Sequence, residues 1–404
     1  MKRIVALNRN ILLYRLLLVF GANGLMTPVI YFFFTSTKNL PTTQALFLIG
    51  FVALAKAVSE VPTGIVADRF SRKYSILIGY TLLVVSWLGL LVLTGFWQLL
   101  LLTVLLGVGG SFISGADDAL LYDSLKELKV SDKFKSILNL SQSIELVAFA
   151  LTIFVGGVLG GINLYFPVFV NIVFLCLSIV FSSLLIEPLT SVEGEKIEQK
   201  GYLIHAKRSI TTIFSHSGFR SGLLSSFVSF VLILAVFKST KNILTPILDS
   251  YGFSVSVIGF TISGVILVKA LGAFIASKYS KPGNELKEAI FSLVSCIVGL
   301  ILIAVIQIPL VKLIIFIAIL GLDNVILTNF QTLVNEKINS SQRATILSLF
   351  SLFARSTEML FLTSFGWIIG RNLFNLAIVF TACWLAVALF ITLIFTKTKR
   401  KIDA

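Results

Sequence analysis

Charge is scarce in this chain of 404 residues: Asp, Glu, Lys and Arg together make up 13% of it. Soluble globular domains carry about 25% charged residues, so that class is excluded. Cysteine occurs three times. Cys176, Cys296 and Cys383 lie far apart inside apolar runs, which excludes a disulfide framework and a zinc spacing. No glycine-rich segment ends in Gly-Lys-Ser or Gly-Lys-Thr, so the chain carries no phosphate-binding loop for ATP-driven work, and no cofactor is expected. Period-2 alternation of the membrane-barrel kind is also missing. What is abundant is apolar: 57% of the residues are hydrophobic and 35 are Phe, which excludes a disordered chain. Continuous apolar runs call for helices, because a lipid-exposed backbone must satisfy its polar groups internally. The basic residues Lys2, Arg3 and Arg9 before the first run resemble a signal peptide. The run continues past Arg15 to Phe34 without a small-residue cleavage site, so it reads as a retained span.

A crossing needs about 20 apolar residues. Twelve runs qualify: 11–34, 44–66, 74–93, 97–121, 136–160, 164–186, 219–247, 256–276, 288–306, 311–332, 344–368 and 373–396. The expectation is an all-α polytopic membrane protein of twelve transmembrane helices, with a six-helix half at 1–186, a cytoplasmic linker at 187–218 and a second half at 219–404. With the N-terminus inside, 24 basic residues fall in inner segments and three, Lys38, Lys312 and Arg371, fall outside. That asymmetry orients the chain in the cell membrane with both termini cytoplasmic. It also accounts for the net charge of +14 without a nucleic-acid partner. The linker holds both histidines, His205 and His216, which read as solvated side chains rather than a metal site. Trp87, Trp97, Trp367 and Trp384 read as lipid or interface anchors.

The halves repeat at an offset of 209 residues. Ile65-Val66-Ala67-Asp68-Arg69-Phe70-Ser71-Arg72 matches Phe274-Ile275-Ala276-Ser277-Lys278-Tyr279-Ser280-Lys281, and Ser136–Leu140 matches Thr345–Leu349. Parallel six-span repeats place a substrate path near the midplane, where the repeats meet.

The loop Gly64-Ile65-Val66-Ala67-Asp68-Arg69-Phe70-Ser71-Arg72-Lys73 resembles the signature loop between spans 2 and 3 of the major facilitator superfamily, with Ser71 where that family usually has Gly. The resemblance covers essentially the whole chain. It implies the facilitator fold of two pseudo-symmetric halves and transport by alternating access. It also implies a cytoplasmic gate built on Gly64, Asp68, Arg69, Arg72 and Lys73. Asp68 would face the N-terminus of span 11, where the helix dipole favours an anion, and Arg72 would pair with Asp123. The segment Ser114-Gly115-Ala116-Asp117-Asp118-Ala119-Leu120-Leu121-Tyr122-Asp123 resembles bacterial efflux-type members. Two departures weaken a carry-over of drug–proton antiport. Thr103 stands where many exporters have an Arg in span 4, and Gly156-Gly157-Val158-Leu159-Gly160-Gly161 lacks the exporters' Gly-Pro.

Ionisable residues inside a span are costly and read as functional. Glu145, Asp323, Asp117 and Asp118 are the proton-coupling candidates. Lys56, Glu60, Lys269, Arg355 and Glu358 are the substrate-cavity candidates. Lys56 with Glu60 and Arg355 with Glu358 share helix faces and could neutralise each other, whereas Glu145, Lys269 and Asp323 have no local partner. Asp117 and Asp118 point in different directions, one towards the cytoplasmic vestibule and one towards the gate. Charges of both signs suit a zwitterionic or polyfunctional solute. The resulting expectation is a monomeric secondary transporter in the lipid bilayer, exporting a toxic small molecule, a drug or a peptide antibiotic of the microcin C kind, in exchange for protons. Proton-coupled uptake of a nutrient, peptide or siderophore is the alternative. A membrane-embedded enzyme is remote, because no His lies within a span.

Overall fold

The computed structural model describes residues 2–189, 223–279, 284–336 and 343–402, and among these there is no strand. Fourteen helices follow one another: α1 Lys2–Gly21, α2 Thr42–Arg69, α3 Arg72–Val92, α4 Phe96–Ile113, α5 Ala116–Glu127, α6 Phe134–Ile162 and α7 Tyr165–Ser183, then α8 Leu223–Ser250, α9 Val255–Tyr279, α10 Glu285–Val305, α11 Pro309–Gly321, α12 Asp323–Glu336, α13 Arg343–Ile369 and α14 Phe374–Ile402. Short turns between Gly24 and Thr37 separate α1 from α2. Among the described residues, ten helical runs are long and apolar enough to cross a membrane, with a shorter apolar stretch at Val255–Lys269. The protein is an all-α, multi-pass membrane protein.

Three expected spans are interrupted. The first does not run unbroken over 11–34: α1 stops at Gly21, and Asn23 takes a left-handed φ of 50°. Pro28 follows, and a proline has no N–H with which to continue a helix. The fourth breaks between α4 and α5 at Gly115, whose φ of +86° is one that glycine adopts at little steric cost. The tenth hitches at Leu322, between α11 and α12. In both of the latter cases an acid opens the second piece: Asp117 and Asp118 in α5, Asp323 in α12.

Two compact units emerge, Met1–Lys196 with Gly252–Ser263, and Ile197–Tyr251 with Gly264–Ala404. In the first, α3 packs on α4, α5 and α7, while α1 packs on α5, α6 and α7. In the second, α10 packs on α11, α12 and α14, while α8 packs on α12, α13 and α14. These are the same pairs displaced by one half, as the 209-residue repeat requires.

Glycines set the close approaches in the first unit. A Cβ on Gly107 of α4 would lie 2.6 Å from Ala55 Cβ and from the Val52 carbonyl of α2, and one on Gly79 of α3 would lie 2.7 Å from the Gly109 carbonyl. The small residues of span 4 therefore serve packing. Trp87 is 4% exposed and belongs to the core with Leu83, Leu90 and Leu99, not to an interface. Trp384 is partly buried and donates to the Leu232 carbonyl at 3.2 Å. Trp97 and Trp367 are exposed, as anchors would be.

Candidate functional site

The signature loop ends one helix and begins the next. Ser71 takes an extended backbone and accepts from the Tyr74 N–H, capping α3. A second cap comes from a distant residue. The Glu187 carboxylate accepts from the Ser71 hydroxyl at 2.6 Å and from the backbone N–H groups of Arg72 at 3.0 Å and Lys73 at 2.9 Å. An anion at a helix N-terminus is where the dipole favours it. Arg72 reaches in the other direction, pairing with Asp123 of α5 and donating to the Ala119 carbonyl at 2.9 Å. Asp68 is 69% exposed at the side chain and lies 3.9 Å from Arg72, a distant contact in water. Arg69 is exposed and Lys73 partly so. A Cβ on Gly64 would meet nothing within 4 Å. The N-terminal residues of span 11 have side chains outside the described set, as do His205, His216 and residues 190–218 of the expected linker.

The same end of the first unit is tied to the chain that follows α7. Asn10 donates to Ser124 Oγ at 3.0 Å and to the Ile186 carbonyl at 2.8 Å, and accepts from the Ile186 N–H at 3.1 Å. Arg3 grips Glu127 at 2.5 Å and the Glu187 carbonyl at 3.2 Å, while Glu127 accepts from the Leu189 N–H at 2.8 Å. The segment 184–189 is thus docked structure rather than the start of a free linker. Asn10 and Glu187 could not be singled out from sequence, since their partners lie more than 100 positions away.

Deeper in the first unit, four of the expected charges come together. Glu145 of α6 lies within electrostatic reach of Asp118 and Lys56, and Asp117 within reach of Asp118 and Lys56. Asp118 accepts from the Tyr14 hydroxyl at 2.6 Å. The backbone N–H of Asp118 donates to Asp117 Oδ1 at 2.9 Å. Tyr14 was missed because a tyrosine in an apolar run carries no charge signal. Glu145 makes no hydrogen bond or ion pair with any described residue. Among the described residues no side-chain hydrogen bond or ion pair joins Glu60 to Lys56. Lys56 instead runs across Gly110, whose Cβ would lie 3.7 Å from Lys56 Cδ.

The second unit holds the other cluster. Arg355 pairs with Glu358 at 2.7 Å. Lys269 and Asp323, expected to lack local partners, pair with each other; tertiary structure brings α9 against α12, which chain distance hides. Asp323 is 4% exposed, and its Oδ1 has no hydrogen-bond partner among the described residues. Two further lysines converge on this set. Lys238 lies within electrostatic reach of Arg355, Asp323, Glu358 and Lys269, and Lys241 within reach of Glu358, Arg355, Lys238 and Lys269. Neither is among the charged residues singled out from the sequence. Their i,i+3 spacing on α8 was the available signal. No cluster of His, Cys, Asp and Glu suited to a metal occurs among the described residues.

The sequence profile described as Major Facilitator Superfamily matches residues 12–361. No curated protein matches the chain by sequence. Among solved structures, the fold is similar to a mutant of the nucleoside transporter NupG, with TM-score 0.81 and 14% identity over 96% of this chain and 99% of that one. It is also similar to the POT family transporter PepTSo, with TM-score 0.71 and 14% identity over 97% and 98%. A bacterial homologue of the iron transporter ferroportin, in an inward-facing state, superposes with TM-score 0.72 and 15% identity over 97% and 98%. At these identities the likeness is one of fold.

Proposed function

Because the chain belongs to the major facilitator superfamily, and is therefore a membrane transporter of small molecules rather than an enzyme, we propose that it works by alternating access and exports a toxic solute in exchange for protons. The observation that carries the proton coupling is the acid group in the first unit: Asp117, Asp118 and Glu145 held around Lys56 and Tyr14. Asp118 lies within reach of both Asp117 and Glu145, and neighbouring carboxylates inside the membrane repel one another when ionised, so protonating one relieves the cost. A proton bound more tightly in one state than in the other shifts the balance between states. In the second unit the buried Asp323, paired with Lys269, is the matching carrier.

Export is supported by the likeness of Ser114–Asp123 to efflux-type members, and a peptide antibiotic remains a specific cargo for it. In this reading both termini are cytoplasmic, the protein is a monomer in the cell membrane, and Arg72–Asp123 with Asp68 forms the cytoplasmic gate. The test is expression in a pump-deficient bacterium challenged with drugs and peptide antibiotics, beside Asp68→Asn. Resistance that Asp68→Asn abolishes is the expected result. No protection against any compound, with the protein in the membrane, overturns export; a pH-jump assay in vesicles then tests the uptake alternative.

A further inference from the structure

Asp323 is held by one of its oxygens. Oδ2 pairs with Lys269, while Oδ1, on a residue only 4% exposed, has no hydrogen-bond partner among the described residues. A carboxylate oxygen shut away from water without a donor is costly, and more so when the group is ionised. An acid kept only to neutralise Lys269 has no use for that cost.

The cations within electrostatic reach of Asp323, among the described residues, are Lys269 of α9 and Lys238 of α8. Lys269 pairs with it, and Lys238 makes no ion pair with it in this structure. Cys296 of α10 is also near, but its thiol is directed at the Ile319 carbonyl at 3.8 Å. Lysine carries its charge on a flexible four-carbon stem, so Lys238 is the group able to supply the donor that Oδ1 lacks.

Both residues stand where their helices yield. Asp323 follows the hitch at Leu322 that divides α11 from α12. Lys238 is followed by Ser239 and Thr240, whose hydroxyls donate to the Ala235 carbonyl at 2.6 Å and the Val236 carbonyl at 3.3 Å. Such back-bonding to residue i−4 bends helices. Further along α8, Pro246 has no N–H and removes another hydrogen bond from the helix. Because α8 packs on α12, bending either helix at these points moves the two side chains relative to each other.

We infer that Lys238 is the alternate partner of Asp323: here Asp323 pairs with Lys269 alone, and in another state of the transport cycle its Oδ1 takes Lys238. The inference rests on the alternating-access reading. It makes Lys238 a positioning residue, which engages Asp323 in one state and not in the other and so biases the balance between them.

The test is zero-length cross-linking of the full-length protein in proteoliposomes. A membrane-permeant carbodiimide activates a carboxyl group, a neighbouring lysine amine displaces the urea, and the resulting amide is read by peptide mass spectrometry. Asp323 is expected to give two products, one with Lys269 and one with Lys238, and Lys269→Gln should raise the yield of the second at least threefold. A Lys269 product with no Lys238 product, or Lys238 joined to Glu358 and not to Asp323, overturns the inference. If Asp323 gives no product at all, hydrogen exchange at the α11–α12 hitch decides. Lys238→Gln should slow it at least threefold and Lys238→Arg should restore it; no change overturns the inference. Both products in a chain that moves no solute in either direction leave the exchange of partners standing and defeat the transport reading. Transport by a chain that gives the Lys269 product alone defeats this inference only.

Discussion

The Arg72–Asp123 pair shows what a single residue can hold. Its side chains are 17% and 10% exposed, so removing one partner leaves a charge poorly solvated. Asp123→Asn should therefore destabilise the first unit by about 3 kcal/mol, the range for breaking an enclosed pair. The check is a lowered melting temperature in detergent, with partial recovery in the charge-swapped double variant. Tyr14 gives a subtler test. Its hydroxyl is the donor to Asp118, and a hydrogen bond to a charged group contributes about 1.5–3 kcal/mol. Tyr14→Phe should slow transport severalfold at unchanged protein level; an unaltered rate would remove Tyr14 from the proton site. The three cations that the charge pattern leaves outside are each set on an aromatic ring: Lys38 is 5.3 Å from the Phe33 centroid, Lys312 is 4.7 Å from Tyr251 and Arg371 is 3.6 Å from Trp367. Lys38 also donates to the Leu91 carbonyl at 3.2 Å, and burial holds its ammonium below the ordinary lysine range.

At the scale of the element, the broken spans are the main departure from expectation. A hydropathy count sees unbroken apolar runs at 97–121 and 311–332, because a backbone hitch does not change composition. A readable trace existed: Gly115-Ala116-Asp117 and Gly321-Leu322-Asp323 place Gly-x-Asp at both breaks. Breaking a span frees N–H groups at the start of α5 and α12, where an acid is favoured. The break at Gly115 can be tested apart from packing, since a Cβ there would meet nothing within 4 Å while φ is +86°. Gly115→Ala should cost about 1–2 kcal/mol through backbone conformation alone, read as a lower melting temperature. The Glu187 cap belongs to this scale too. Glu187→Gln keeps the shape but offers one acceptor oxygen and no charge to three donors. It should cost about 1 kcal/mol and speed hydrogen exchange at the first turn of α3.

For the whole molecule, the two charge clusters differ in make-up. The first unit gathers Asp117, Asp118 and Glu145 around Lys56; the second brings Lys238, Lys241, Lys269 and Arg355 near Asp323 and Glu358. Proton coupling is a property of the full cycle, so its test is transport by the complete chain in proteoliposomes under an imposed pH gradient. Glu145→Gln and Asp323→Asn should each flatten the pH dependence of the rate. An unchanged profile in both would strip these two acids of the role.

Length, apolar run lengths and the scarcity of charge determined by themselves that this is a multi-pass helical membrane protein, because crossing hydrocarbon demands about 20 apolar residues and internally bonded backbone. The loop Gly64–Lys73 was sufficient to point to the family, and the 209-residue repeat to the matched packing of the two units. Local pairs were legible where partners sit one turn apart, as for Arg355 and Glu358. Spacing alone misled for Lys56 and Glu60, which share a face, yet among the described residues no side-chain hydrogen bond or ion pair joins them. Only the tertiary structure decided that Lys269 meets Asp323, that Tyr14 meets Asp118, that Glu187 caps α3, and that Lys238 and Lys241 join the second cluster. Each of these depends on which helix faces turn towards one another, and side-chain packing between distant segments sets that, leaving no mark in the periodicity of any one span.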